Sequence, residues 1–332
     1  MKVMMLKGAG ATAVLELVDV PAPHEVGPTQ IAIEVRAASV NRADLLQRAG
    51  SYVPAGGRPE EMPAGIDAAG RVVEVGERVE TIRVGDRVMA MVQGGLAERV
   101  VVDAAMAVHT PDAWSDVEGA AAIVALMTEH NALVTAGRLR QGESVLVCGA
   151  ASGVGLQAVQ LSRFLGAGAV IATTRSSRSA ELLRGLGADH VIDVGQKDFP
   201  SEVRRVVGDR GVDVVVDHVG GPYLAGNVEC LAVQGRLVSV GRLAGGLGTL
   251  DMEKLALKRL EIIGVTFRTR SSDEKAAIAA GVRALLETDR AVEPLRPTVD
   301  RSLPWVRVEE AYEVMERNAH LGKIVLEVSS GA

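Results

Sequence analysis

The sequence is poor in the residues on which several function classes depend. Cysteine occurs twice, at Cys148 and Cys230, which is too few for a disulfide framework or a four-thiolate zinc site. Aromatic residues make up only 2% of the chain, with three tyrosines among them. There is no run of Lys or Arg, and a net charge of −6 with a pI near 5.6 argues against a nucleic-acid partner or an anionic membrane surface. The longest apolar run, around Ala120 to Met127, is far below the ~20 residues of a membrane span. The opening Met1-Lys2-Val3-Met4-Met5-Leu6-Lys7 has too short an apolar core for a signal peptide. These absences predict a soluble, cytoplasmic protein. An apolar content of 48% is that of a well-buried globular chain, and 332 residues exceed what one core usually serves, so two domains are expected.

What the chain does have is small residues in an informative order. The run Ser144-Val145-Leu146-Val147-Cys148-Gly149-Ala150-Ala151-Ser152-Gly153-Val154-Gly155 passes from an apolar segment through small residues into an amphipathic segment ending near Gly166. That is the order strand, tight turn, helix. A phosphate approaches the backbone closely only where side chains are small, and the N–H groups opening the next helix favour the anion. The spacing, Gly149 then Gly153 and Gly155, is not the common G-x-G-x-x-G. Taken alone, the turn reads equally as an ordinary tight turn.

Its surroundings decide between these readings. The first third is β-rich: Thr29 to Val35 alternates, and extended runs follow at 71–75, 86–91 and 98–102. Asn41 to Arg48 reads as a short helix with Asn41 at its N-cap, followed by a Pro/Gly-rich loop from Gly50 to Gly65 that carries Tyr52. Ser115-Asp116-Val117-Glu118 is a capping-box pattern before an Ala-rich helix, and a second helical segment spans about 128–136. From Ser144 onward strands and helices alternate, with further strands expected at 170–173, 190–193, 212–216 and 236–240, and one more at 261–267. This predicts an α/β fold with a doubly wound parallel sheet, and it makes the Gly149 turn a dinucleotide site. A second capping box, Ser271-Ser272-Asp273-Glu274, opens a helix to about Thr288, and a last helix near 308–318 precedes a strand at 323–328.

The end of the second strand bears on the choice of dinucleotide. An acidic side chain there accepts from a ribose 2′-OH, whereas cations and hydroxyls hold a 2′-phosphate. The chain reads Thr173-Thr174-Arg175-Ser176-Ser177-Arg178, with no carboxylate before Glu181. Guanidinium and hydroxyl groups suit a phosphate dianion, so NADPH is expected, with Thr174, Ser176 and Arg178 as contacts. The bland alternative is a solvated Arg/Ser loop at a helix start.

Asn41-Arg42-Ala43-Asp44 with Tyr52, the Gly149–Gly155 turn, Phe267-Arg268-Thr269-Arg270 and Leu321-Gly322-Lys323-Ile324-Val325-Leu326 together resemble the zinc-free quinone oxidoreductases of the medium-chain dehydrogenase/reductase superfamily, in the p53-inducible, zeta-crystallin-like branch. The likeness runs through almost the whole chain in the same order. It implies a GroES-like catalytic domain at 1–121 and 268–332, a Rossmann domain inserted at 122–267, and a homodimer. Zinc-dependent relatives need a cysteine near position 41 and a His-Glu pair near position 67, where this chain has Asn41 and Asp67. No metal is therefore expected. Without a Lewis acid the acceptor must already be activated, as a quinone or a conjugated enone is.

By resemblance, Asn41, Asp44 and Tyr52 surround the nicotinamide and the substrate. Asn41 orients the substrate oxygen, compatibly with its role as a cap. Asp44 is either catalytic or simply a first-turn carboxylate favoured by the helix dipole. Tyr52 either donates a proton to an enolate or packs on the surface. The cofactor-binding set comprises Thr128, at the position that holds the carboxamide, then Ala151, Ser152, Gly153 and Val154 of the turn, Thr174, Ser176 and Arg178, and Val240, Phe267, Arg268 and Lys323. Glu129 and His130 depart from relatives, which carry an apolar or aromatic residue after the threonine. They read either as a proton relay or as partly exposed helix residues. His24, His109, His190, His218 and His320 have no metal-site spacing and read as structural.

The expectation is an NADPH-dependent oxidoreductase acting on a quinone or on the C=C bond of an α,β-unsaturated carbonyl. Glu129-His130 and the scarcity of aromatics favour a specialised enone or enoyl substrate over a flat quinone. The competing class is an NADPH-binding regulatory or structural protein with little turnover.

Overall fold

Strand Ser144–Cys148 is buried at every position, as is strand Val212–Asp217. Strands covered on both faces read as continuous apolar runs, as these do, and such strands belong in the middle of a parallel sheet. The computed structural model, which describes residues 1–22, 25–52, 57 and 59–329, places them there. His24 and residues 53–56 and 58 of the expected loop lie outside the described residues.

The chain divides into two compact units, one of Met1–Val124, Phe267–Val292 and Arg296–Ala332, the other of Ala125–Thr266 and Glu293–Leu295. The second unit holds a six-stranded, all-parallel sheet in the order His190–Asp193, Ala169–Thr174, Ser144–Cys148, Val212–Asp217, Leu231–Ser239, Glu261–Gly264. The chain starts in the middle and builds outward in both directions. Strand order therefore reverses between Ser144–Cys148 and Val212–Asp217, and the crevice at their carboxyl ends is where ligands bind in such sheets. The core beneath is aliphatic, with Leu146, Ile171, Val203, Val215 and Leu237 all buried.

The first unit is built on a seven-stranded sheet around the long strand Gln30–Val40, which pairs with Asp67–Val75, Arg99–Asp103 and the C-terminal strand Lys323–Glu327. Ile324 lies opposite Val40 in that last pairing, so Lys323 and Asn41, 282 positions apart, meet at one corner. A three-stranded sheet of Val14–Asp19, Lys2–Lys7 and Glu61–Pro63 completes the unit.

Several expectations need correcting. The two helical segments expected after Ser115 are one continuous helix, Asp116–His130, prolonged as a π-helix over Asn131–Ala136. The strand expected at 236–240 begins earlier, at Leu231, directly after helix Leu224–Cys230, and ends at Ser239. The final strand of the parallel sheet ends at Gly264, not Phe267. Both capping boxes form: Glu118 N–H donates to Ser115 Oγ at 3.2 Å, and Glu274 N–H donates to Ser271 Oγ at 3.2 Å.

Candidate functional site

The corner between strand Gln30–Val40 and helix Arg42–Arg48 gathers four of the named polar residues. Lys323 opens its strand beside Val40, and its Nζ donates to Asn41 Oδ1 at 2.7 Å and to the Val40 carbonyl at 3.4 Å. The amide of Asn41 donates from Nδ2 to Asp67 Oδ2 at 2.7 Å and to the Ser39 carbonyl at 3.1 Å. Asp67 also accepts from the backbone N–H and the hydroxyl of Ser39. Asn41 caps the helix as expected, and its N–H donates to Asp44 Oδ2 at 2.7 Å. The other oxygen of Asp44 is buried without a partner. Ser39, Asn41, Asp44, Asp67 and Lys323 are all at most 6% exposed.

Burial governs the charges here. It pushes Asp44 up to about 7, with the neighbouring Asp67 carboxylate adding to the effect and the Asn41 N–H opposing it. Burial also raises Asp67, against the pull of Lys323 and of the Ser39 and Asn41 hydrogen bonds. It lowers Lys323, against the attraction of both carboxylates. The cluster is an ammonium and a carboxylate bridged by one amide, with a second carboxyl poised to hold a proton near neutrality. Lys323 is buried, with its ammonium enclosed in the cluster. The Asn41 amide has both faces occupied within the cluster, so orienting a substrate oxygen directly would require it to give up one of these bonds.

Tyr52 lies half-buried beneath the guanidinium of Arg268, which sits 5.1 Å from the ring centroid. Sequence reasoning named both residues but not their contact. Among the described residues no group of three or more His, Cys, Asp or Glu side chains is placed to hold a metal ion.

The glycine turn lies in the other unit. Gly149 has φ +74°, a left-handed conformation in which a Cβ is strained. Ser152 caps helix Gly153–Phe164, its hydroxyl accepting from Gly155 N–H at 3.1 Å. A Cβ on Gly155 would fall 2.6 Å from the Gly149 carbonyl oxygen, so the helix starts pressed against the turn. Ala151, Ser152, Gly153 and Val154 thus line an opening whose first helical N–H groups lack partners within the helix. After strand Ala169–Thr174, Arg175, Ser176 and Arg178 are exposed. Thr174 is not: its buried hydroxyl is 2.8 Å from Ser179 Oγ and accepts from Ser176 N–H at 3.3 Å. It shapes the loop from within. Val240, half-buried, follows the fifth strand and donates its N–H to the Asp217 carbonyl at 2.8 Å. Thr128 and Phe267 are half-buried and Arg268 is exposed. A side-chain-poor turn, a helix start and a loop of guanidiniums and hydroxyls fit a phosphorylated dinucleotide.

Glu129 and His130 do not form a relay with each other. His130 is half-buried with Nδ1 unpartnered, and burial lowers its pKa. Glu129 is fully buried, and its Oε1 lies 2.9 Å from Nε2 of His218, whose Nδ1 is 2.8 Å from the Cys148 carbonyl. The reading of Glu129 as a partly exposed helix residue is therefore wrong. Sequence reasoning missed His218, although its place just past a Val-rich strand, at the carboxyl edge of the sheet, was the signal available.

Comparison with known proteins places this architecture. The family model for the alcohol dehydrogenase GroES-like domain matches residues 27–112, and that for zinc-binding dehydrogenase matches residues 153–282. The human synaptic vesicle membrane protein VAT-1 homolog is 31% identical over 98% of this chain and 86% of its own length. The chain belongs to the medium-chain dehydrogenase/reductase superfamily. It is an oxidoreductase of that superfamily, with a Rossmann nicotinamide-cofactor unit and a GroES-like β-rich unit. The reducing polyketide synthase FUB1 of Gibberella fujikuroi is 33% identical over 97% of this chain, which spans 13% of that protein's length. A mycobacterial quinone oxidoreductase structure is 28% identical with a TM-score of 0.83, covering 98% of this chain and 99% of its own. The mycobacterial Rv1454c structure complexed with NADPH is 28% identical with a TM-score of 0.85, covering 98% of this chain and 100% of its own.

Proposed function

We propose that this medium-chain oxidoreductase is NADPH-dependent and reduces a quinone or the C=C bond of an α,β-unsaturated carbonyl without a catalytic zinc. The observation that carries the reading is the Lys323–Asn41–Asp67 chain. Asn41 and Asp67, at the positions near which zinc-dependent relatives carry ligands, bind each other and a buried ammonium instead. A pocket already holding a fixed cation, with an amide in place of a thiolate, is a poor metal site. NADPH supplies the hydride when bound. The turn at Ala151–Val154 would take its diphosphate, and Arg178 with Ser176 its 2′-phosphate. A quinone or enone gains charge on oxygen as it is reduced, and the Tyr52 phenol, beneath the Arg268 guanidinium, is the proposed donor to that oxygen. Asp44, poised near neutrality, is the proposed local proton store.

The polyketide synthase relative supports an enone or enoyl acceptor, and the mycobacterial quinone oxidoreductase supports a quinone. A homodimer belongs to the same proposal. Edge strand Glu261–Gly264 exposes Ile262, and Leu247, Met252 and Leu257 of the same unit are also exposed, which leaves an open strand edge with apolar surface on the same unit. A cytoplasmic location is also proposed, in keeping with two buried free thiols.

The test is consumption of NADPH and of NADH over a panel of quinones and enones, with product analysis separating C=C from carbonyl reduction. The expected result is NADPH-dependent turnover. Arg178→Glu should weaken NADPH about tenfold while leaving NADH nearly unchanged. Binding of NADPH with no turnover on any acceptor would replace the enzyme reading with a binding protein, and equal losses for both cofactors would remove Arg178 from the phosphate site.

A further inference from the structure

The Glu129–His218 pair takes no part in the chemistry proposed above, yet it lies where the parallel sheet reverses. His218 follows Asp217, whose register sets it beside Cys148, the last residue before the glycine turn. A side chain on Gly149 would meet Val219 Cγ2 at 3.3 Å and His218 Cβ at 3.6 Å, so His218 and Val219 form one wall of the turn. The imidazole then reaches two elements at once. Its Nδ1 is 2.8 Å from the carbonyl that leads into the turn, and its Nε2 is 2.9 Å from the carboxyl of Glu129, beside Thr128 on the long helix.

Proton counting restricts this arrangement. A carbonyl only accepts, so Nδ1 must carry a hydrogen. A hydrogen bond between Nε2 and Glu129 Oε1 then needs one further proton. The second oxygen of Glu129 is buried without a partner, so His218 is what compensates this carboxyl for its burial. The charged and titratable neighbours are few. Burial disfavours the imidazolium, but the Glu129 carboxylate, the Cys148 carbonyl and the Asp217 carboxylate outweigh it and raise His218. Burial keeps the Cys148 thiol neutral by raising it and His130 neutral by lowering it.

We propose that Glu129 and His218 are a positioning pair for the dinucleotide site, tying the helix that carries Thr128 to the glycine turn through one shared proton. The inference rests on the reading of that turn as the cofactor site. While the proton is held, helix and turn are bridged. When it is lost, the buried Glu129 carboxylate faces a nitrogen lone pair, and the bridge becomes repulsive. Cofactor affinity therefore falls as pH rises through the raised range of His218.

The experiment is direct titration of NADPH and NADH into the full chain from about pH 6 to about pH 9, with wild type, Glu129→Gln and His218→Asn. Both variants should bind dinucleotide about tenfold more weakly near neutral pH and lose the alkaline decline of the wild type. The KM for the cofactor should rise by more than kcat falls. A merely structural role would lower Tm and leave the affinity of the folded variants and its pH profile untouched, which overturns the proposal. Should a single variant fail to fold, the double variant Glu129→Met with His218→Leu removes both partners without stranding a charge, and the same weakening and flat profile are expected of it. Wild type that binds neither dinucleotide overturns the site reading and this inference together. Wild type that binds, beside variants that bind equally well, overturns only the pair.

Discussion

The two units bury charge in different ways. In the unit made from the chain ends, one lysine, Lys323, faces two carboxyls through the amide and backbone of Asn41. In the Rossmann unit, Glu129 and His218 face each other across 2.9 Å, and the proposed bridge between them depends on one proton. The first cluster carries more acid than base. It reaches neutrality only by taking up a proton, and Asp44, with its unpartnered oxygen, is the group placed to accept it. The second balances itself for as long as it keeps the proton it has. The first is thus sensitive to pH from the acid side up to neutrality, the second from neutrality upward. A buried cluster of this kind is defined by its proton count as much as by its geometry.

The largest effect expected comes from breaking the first cluster. Lys323→Met leaves Asp67 a buried carboxylate with no cation and should cost about 3–5 kcal/mol, read from the shift in a denaturant midpoint. A cost below about 1 kcal/mol, the range of an exposed ion pair, would mean that Lys323 does not hold the corner together. A smaller effect is expected at Asp44. A carboxyl that titrates at 3.8 when unfolded and about 7 when folded binds more protons in the native state between those values. Its contribution therefore makes stability fall as pH rises across that window, by at most about 1.4 kcal/mol per pH unit. Asp44→Asn cannot titrate and should flatten that part of the profile. Wild type and variant with the same slope from 3.8 to about 7 would show that Asp44 is ionised throughout.

The comparison also separates what was legible in the sequence from what was not. The alternation of strands and helices after Ser144 revealed the parallel sheet and its glycine turn, because strands buried on both faces are written as unbroken apolar runs. Asn41 and Lys323 were legible as members of separate motifs. Their contact was not, since it depends on the register that sets Ile324 opposite Val40. Asp67 read only as a missing metal ligand, and its role as partner to Ser39 and Asn41 emerged from the pairing of strand Asp67–Val75 with Gln30–Val40. Glu129 was misread for a different reason. The helix Asp116–His130 is buried over much of its circumference and continues into a π-helix, so periodicity cannot say which of two adjacent polar residues points inward. The N-terminal hairpin of Lys2–Lys7 and Val14–Asp19 went unread, because each strand is only six residues long and neither alternates cleanly.

The proposed hydride transfer to an activated acceptor needs no metal, since the Lys323–Asn41–Asp67 chain fills the corner where a zinc would sit. The decisive measurement is the rate of NADPH oxidation with the best quinone or enone before and after exhaustive chelation and again after adding zinc, with metal content determined on the same samples. The rate should be unchanged by chelation, be unimproved by zinc, and bear no relation to metal content. Activity lost on chelation and restored by stoichiometric zinc would make this a zinc-dependent reductase.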